Sequence, residues 1–307
     1  MKDTLTLLKD SGKDFIDDEC PTQAAALSYY TIFSLPPLLL LLLLILGSVL
    51  DPRDIQGQLE TQIGALMGPS ASQHIRGILE QAHQPGSRAL LPTVLSVAAL
   101  IFGATGAFGQ LQAALNRAWK VAPDPEKGGL KAFLLKRVFS FGMILSVAFL
   151  LLVSLVLSAA LSAFGGALGG MLPEGLSATF LQVVNQVVSY VVIAALFAAI
   201  FKVLPDARVT WRDAWIGATG TALLFVIGKF VIGLYLGRSN PGEAFGAAGS
   251  LAVMLVWIYY SSMILLFGAE FTQVWANRWG GGVSPERGAV RILKENKLVR
   301  DGGSVPA

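Results

Sequence analysis

Of the 307 residues, 54% are hydrophobic and only 14% charged, against about 25% charged in an ordinary soluble domain. The mean hydropathy of +0.62 excludes a soluble enzyme, and the single cysteine, Cys20, excludes a disulfide-stapled secreted domain and a cysteine-based metal site. A net charge of +3 with a pI near 9.0 would suit nucleic acid, but the basic residues sit in short connections between apolar runs, the pattern that orients membrane proteins.

The first 20 residues mix Lys2, Lys9 and Lys13 with Asp3, Asp10, Asp14, Asp17, Asp18 and Glu19, so no cleavable signal peptide is expected. The first apolar run, with Leu38 to Leu44 inside it, has no Ala-x-Ala-like end and reads as a retained anchor. Apolar periodicity gives six spans, at about 27–50, 89–110, 138–164, 180–204, 214–236 and 246–270, each near the ~20 residues that a bilayer core requires. Pro36-Pro37 removes two backbone donors within the first span and biases Leu35 away from helical angles, which predicts a kink or break. The stretch before it, with Ser28, Tyr29, Tyr30, Thr31 and Ser34, then rides at the interface or lines a cavity.

In the loop 51–88, Leu59, Ile63, Leu66 and Met67, then Ile75, Ile78 and Leu79, recur at helical spacing on either side of Gly68-Pro69. Two short amphipathic helices on the outer surface fit that pattern. Residues 1–280 read as one all-α, polytopic six-helix membrane domain, and 281–307 as a basic, flexible tail. Of the 23 Lys and Arg residues, 18 fall on the side holding the N-terminus, the second and fourth connections and the tail. Four fall on the other side, and Lys229 lies within a span. The positive-inside rule puts both termini in the cytoplasm, and Trp119, Trp211, Trp215, Trp275 and Trp279 fall at the same ends, at headgroup level.

Lys229 is the most costly residue to place, because an ammonium in lipid must be paired, hydrated or snorkelling. Turned inward, it lies level with Gln182, Asn185, Gln186 and Ser189 of the fourth span. Glu270 ends the sixth span, where it pairs with Arg117, Arg137 or Lys202 or else serves as a proton or ion site. Gly103, Gly106 and Gly109, Gly217, Gly220 and Thr221, and Gly246, Gly249 and Ser250 permit close helix approach. His74 and His83 both lie in the outer loop, so a metal-dependent nuclease lacks its ligands on the cytoplasmic side. Asp14, Asp17, Asp18 and Glu19 read as a solvated face.

Several runs resemble the YihY/BrkB family of bacterial inner-membrane proteins, once labelled ribonuclease BN. They are Ala24-Ala25-Ala26-Leu27-Ser28-Tyr29-Tyr30 with Ser34 and Pro36; Gly103-Ala104-Thr105-Gly106-Ala107-Phe108 with Leu111; Asn116-Arg117-x-Trp119; Leu204-Pro205; Gly217-Ala218; Gly228-Lys229 with Tyr235; and Trp257-x-Tyr259 with Gly268-Ala269-Glu270. The resemblance spans nearly the whole chain. It implies a six-helix protein of the inner membrane with a periplasmic 51–88 loop, connected with envelope phenotypes, virulence and the transport of solutes or lipids.

The expectation is a transporter or flippase-like exporter rather than an enzyme, with Lys229, Asn185, Gln186, Tyr29, Tyr30, Ser34 and Glu270 as the residues that meet cargo. No cofactor or metal is expected. Partners are membrane lipids, a small solute or lipid cargo and a second copy of the chain, with no nucleic acid. A non-transporting envelope scaffold is the alternative, and a ribonuclease ranks last. No Gly-rich loop followed by Lys-Ser or Lys-Thr occurs, so transport would be passive, ion-coupled or driven by another subunit.

Overall fold

A computed structural model describes residues 2–46, 57, 76–77, 106–124, 176–239 and 248–292. Helix α1, Lys2–Asp17, buries Leu7, Ser11 and Phe15, a stripe four residues apart that fits one face of a helix. A turn at Asp18 and Glu19 leads into α2, Cys20–Leu46. A helical stretch over 106–118, α3, runs into strand β1, Val121–Pro123. Then come α4, Leu176–Val203, strand β2, Ala207–Arg208, α5, Trp211–Ser239, and α6, Gly249–Trp279. Strands β3, Ser284–Pro285, and β4, Ala289–Arg291, follow.

Among the described residues, Gln186–Val203, Trp211–Tyr235 and Leu251–Trp279 are long and apolar enough to cross a membrane. They match the fourth, fifth and sixth expected spans, and α2 follows the first as far as Leu46. The second and third, 89–110 and 138–164, lie outside the described residues apart from 106–110, as does nearly all of the outer loop. Gly57, Arg76 and Gly77 of that loop have helical backbone.

Two expectations need correction. Of the kink or break expected at Pro36-Pro37, the break does not occur, since helix α2 runs through both residues. Proline's fixed φ is itself helical, and apolar helices tolerate the lost bonds where local adjustments satisfy the freed carbonyls. The tail is not uniformly flexible either, because β3 and β4 fold back onto the helix ends. Ala207 and Arg208 pair antiparallel with Pro285 and Ser284, and Val121, Ala122 and Pro123 pair with Arg291, Val290 and Ala289. Between the strands, the Ala289 N–H donates to Glu286 O at 3.0 Å, and Gly288 adopts φ +93°. Glycine at the third position of such a turn meets the requirement for positive φ.

Helix α5 lies between α4 and α6, and α6 also packs against α2 and α1. The α5–α6 crossing is built on two reciprocal glycine–threonine contacts. A Cβ at Gly217 would fall 2.6 Å from Thr272 Cβ, and one at Gly268 would fall 2.8 Å from Thr221 Cβ. Each buried threonine hydroxyl donates to the carbonyl four residues back in its own helix, Thr221 to Gly217 and Thr272 to Gly268. No polar group is therefore stranded where the backbones meet, as small-xxx-small packing requires. An aromatic series runs through the core, with Trp119 against Phe201, Phe201 against Phe197, Phe197 against Phe225 and Phe225 against Trp257, at centroid separations of 5.8–6.4 Å.

The N-terminal helix, the 117–124 segment, the 204–213 segment and the 278–292 segment converge at one end of the helices. These are the four basic regions that the charge count assigns to a common side. Asp10 faces Arg278 at 3.6 Å. Asn116 donates to Asp206 Oδ2 at 2.9 Å and accepts from the Asp206 N–H at 2.7 Å. Thr210 caps α5, its Oγ1 accepting from Asp213 N–H at 3.2 Å and donating to Asp213 Oδ2 at 2.7 Å. That same carboxylate oxygen accepts the Gly281 N–H at 3.0 Å, which fastens the end of α6 to the start of α5.

Candidate functional site

Two arrangements of polar side chains stand out within this apolar frame. The first surrounds Glu270. Gly268 and Thr272 face α5, and Glu270, two residues past Gly268 and about 200° round the helix, points toward α1 and α2. Glu270 is fully buried. Its Oε1 accepts from Cys20 Sγ at 3.5 Å, while Oε2 has no hydrogen-bond partner.

The expected pairing of Glu270 with Arg117 or Lys202 does not occur. Arg117 holds Glu19 at 2.7 Å, and the Lys202 ammonium donates to the Val209 carbonyl. The third expected partner, Arg137, lies outside the described residues. Asp18, Asp14 and Lys120 are near enough for their charges to act on Glu270. Asp14 accepts from Lys120 Nζ at 2.7 Å, and Asp18 is buried at 3% exposure, so the acidic stretch is not the uniformly solvated face expected from the sequence. Burial works against the Lys120 charge, but the Asp14 hydrogen bond and the Asp14 and Asp18 charges outweigh it and hold the ammonium above its ordinary range.

Backbone geometry singles out the same place. Among the described residues only Glu19, at φ 54°, and Lys120, at φ 55°, are non-glycine residues with positive φ, and both border the Glu270 pocket. Such conformations persist where the surroundings fix them, and they gather at functional sites.

Burial first, and then the Glu270 carboxyl, push the Cys20 thiol well above its ordinary value. Only the thiolate alkylates at a useful rate, so raising the pKa lowers the reactive fraction at mildly alkaline pH. Native protein is expected to resist N-ethylmaleimide there, and detergent-denatured protein to label at once. Mass spectrometry of the intact chain checks this, and equal labelling in both states would refute the buried position.

The second arrangement is a narrow cleft between α5 and α6, lined by Phe225, Lys229, Ile232, Trp257, Tyr260, Ser261 and Ile264. Lys229 is exposed along the edge of the cleft. Trp257 is buried at 7% exposure, and its indole N–H has no hydrogen-bond partner. Lysine, indole, phenol and serine hydroxyl thus supply donors along an otherwise apolar slot.

The other expected site residues are dispersed. Gln186 is exposed on α4 and is not among the residues lining the cleft, and Asn185 precedes it on the same helix. Tyr29 and Tyr30 are exposed on α2, with Tyr29 in edge contact with Tyr30 and tilted against Phe33. Ser34 is buried and donates to the Thr31 carbonyl at 2.9 Å. Sequence reasoning overlooked Cys20 as a neighbour of Glu270 and Trp257 as a neighbour of Lys229. The Lys229–Trp257 pairing needs the α5–α6 register. The one available signal was the position of Trp257 inside a span while the other five tryptophans mark helix ends.

Among the described residues, no group of three or more His, Cys, Asp or Glu side chains is arranged to hold a metal ion. Long apolar helices tied at one end by a polar and β-paired lock define an integral membrane protein. The profile of one family, described as virulence factor BrkB, matches residues 12–292, and the chain belongs to that family. It is similar to a UPF0761 membrane protein of Alcanivorax borkumensis, 27% identical over 85% of this chain and 58% of the relative. A UPF0761 membrane protein of Pseudomonas aeruginosa strain LESB58 is 29% identical over 83% of this chain and 59% of the relative. One from Psychrobacter is 26% identical over 94% and 52%. The chain therefore spans little more than half the length of these relatives. No solved structure matches.

Proposed function

We propose that this chain is a six-span exporter of the bacterial inner membrane, with its locked basic end in the cytoplasm, and that it moves a small anionic or zwitterionic solute or lipid. The observation that carries this reading is the cleft beside Lys229. A cation next to a buried, unpartnered indole donor, on helices apolar enough to span a membrane, suits a negatively charged headgroup or carboxylate whose apolar part lies along α5 and α6. An intramembrane lysine is expensive to keep without such a role. At the cleft itself, Gly228 lets α5 approach Tyr260 and Ile264 of α6 closely.

Purified protein in liposomes tests the reading with two anionic probes, NBD-labelled phosphatidylglycerol and carboxyfluorescein. Wild-type vesicles should expose inner-leaflet lipid to dithionite, or release the dye, several-fold faster than protein-free vesicles. Lys229→Ala should remove most of that excess. An unchanged rate in the variant takes Lys229 out of the site, and protein-free behaviour of the wild type with both probes counts against movement of these cargo classes.

A non-transporting envelope scaffold is the competing reading, favoured by the extent to which the basic end is interlocked. In that case deleting residues 51–88 should matter more to the cell than Lys229→Ala.

A further inference from the structure

We propose that Glu270 is a proton-binding site, loaded and unloaded through the acidic bend between α1 and α2. Three observations meet at this side chain. Its carboxyl is wholly buried on a membrane-spanning helix. One oxygen meets only a thiol, and the other has no partner at all. A permanently ionised carboxylate in such a place would be expected to recruit a full set of donors. Among the described residues no cation pairs with it: Lys120, whose charge reaches Glu270, is held by Asp14 at 2.7 Å, and Arg117 and Lys202 bond to Glu19 and to Val209 O.

The groups facing Glu270 form a graded route to water. Asp14 on α1 and Lys120 after α3 are paired and partly exposed, with side-chain exposures of 24% and 36%. Asp18 in the bend is nearly buried, and Cys20 on α2 touches Oε1. Arg117 on α3 lies close enough for its charge to act on Cys20. From α5, Gly217, Gly220 and Thr221 meet this turn of α6 at Thr272, Phe271 and Gly268, and none of them carries a charge. A proton arriving from solvent passes by way of Asp14 and Asp18 to Glu270 Oε2, converting a carboxylate to a carboxylic acid and removing one negative charge from the pocket. Release reverses the step. The strained backbone at Glu19 and Lys120 lies on either side of this route, so loading the site changes the electrostatic load on the bend that joins α1 to α2.

This supplies the coupling ion for the transport reading and rests on that reading only for what the proton drives, because protonation itself is measured without cargo. Full-length protein in lipid nanodiscs, titrated between mildly acidic and alkaline buffer, should show an infrared C=O band of a protonated, weakly hydrogen-bonded carboxyl. The band should shift in D2O and be lost in Glu270→Gln. If that variant does not fold, Asp18→Asn leaves the carboxyl in place, and removing a nearby negative charge should move the midpoint of the band to lower pH. A band that persists in Glu270→Gln, a wild type without such a band, or a midpoint indifferent to Asp18→Asn would each overturn the proposal. A titrating band in protein that moves neither anionic probe would leave the proton site standing and count against the exporter.

Discussion

Gly217→Val is expected to abolish recovery of folded, monodisperse protein. A single methyl at this position would already stand 2.6 Å from Thr272 Cβ, and that Cβ belongs to the backbone frame of α6 rather than to a flexible chain end. The threonine cannot turn aside freely, because its hydroxyl is bonded to the Gly268 carbonyl. The helices must separate, and separation also breaks the mirror contact between Gly268 and Thr221. Ordinary overpacking costs about 1–3 kcal/mol, and Gly217→Val should exceed that by disturbing both contacts at once. Size-exclusion chromatography and thermal unfolding in detergent measure the effect. Gly217→Ala should be milder, and Gly217→Ala combined with Thr272→Gly should recover part of the loss, since the second change removes the Cβ that the first one meets. An unaltered melting profile for Gly217→Val would show that α5 and α6 do not cross here.

Asn116→Asp should be the most damaging single substitution at the basic end, and Asn116→Leu somewhat less so. Asn116 both donates to the Asp206 carboxylate and accepts from its backbone N–H. Leucine loses both bonds, for about 2 kcal/mol, with water available to part of the half-buried Asp206. Aspartate keeps the acceptor but sets a second carboxylate against the first at contact distance, where like charges repel strongly. Tryptophan fluorescence during thermal unfolding is a convenient readout, because Trp119 is buried one helical turn away. Gln112, which also reaches Asp206 at 3.3 Å, should matter less on substitution because its contact is long and single.

Much of the frame was legible in the residues because helices in lipid are written in local periodicity. The fourth, fifth and sixth spans could be read from their apolar lengths, and α6 simply continues past the expected end at 270 to Trp279, into the zone where α1 covers it. The grouping of Arg117, Lys120, Arg208, Arg212 and Arg278 on one side also emerged from charge counting alone. Contacts across long stretches of sequence were not legible. Cys20 meets Glu270 at a separation of 250 residues, and neither residue type predicts the other. The two-residue and three-residue strands lack the length for an alternating pattern, so their pairing depends on where the helix ends come to rest. Pro36-Pro37 does not end α2, because the local rule against proline inside helices is weaker in apolar surroundings than in water.

The pairing of β4 with β1 and of β3 with β2 also imposes an order in time. Both partners on the tail side follow α6 in the chain, so the ribosome has delivered α1 to α6 before the residues that tie 121–123 and 207–208 together have been made. Until then the basic end is an open set of helix termini held by side-chain contacts alone. Closure of the seam is therefore a late event in biogenesis, and a nascent chain stalled before Ala289 presents an unsealed surface to the quality-control proteases of the membrane.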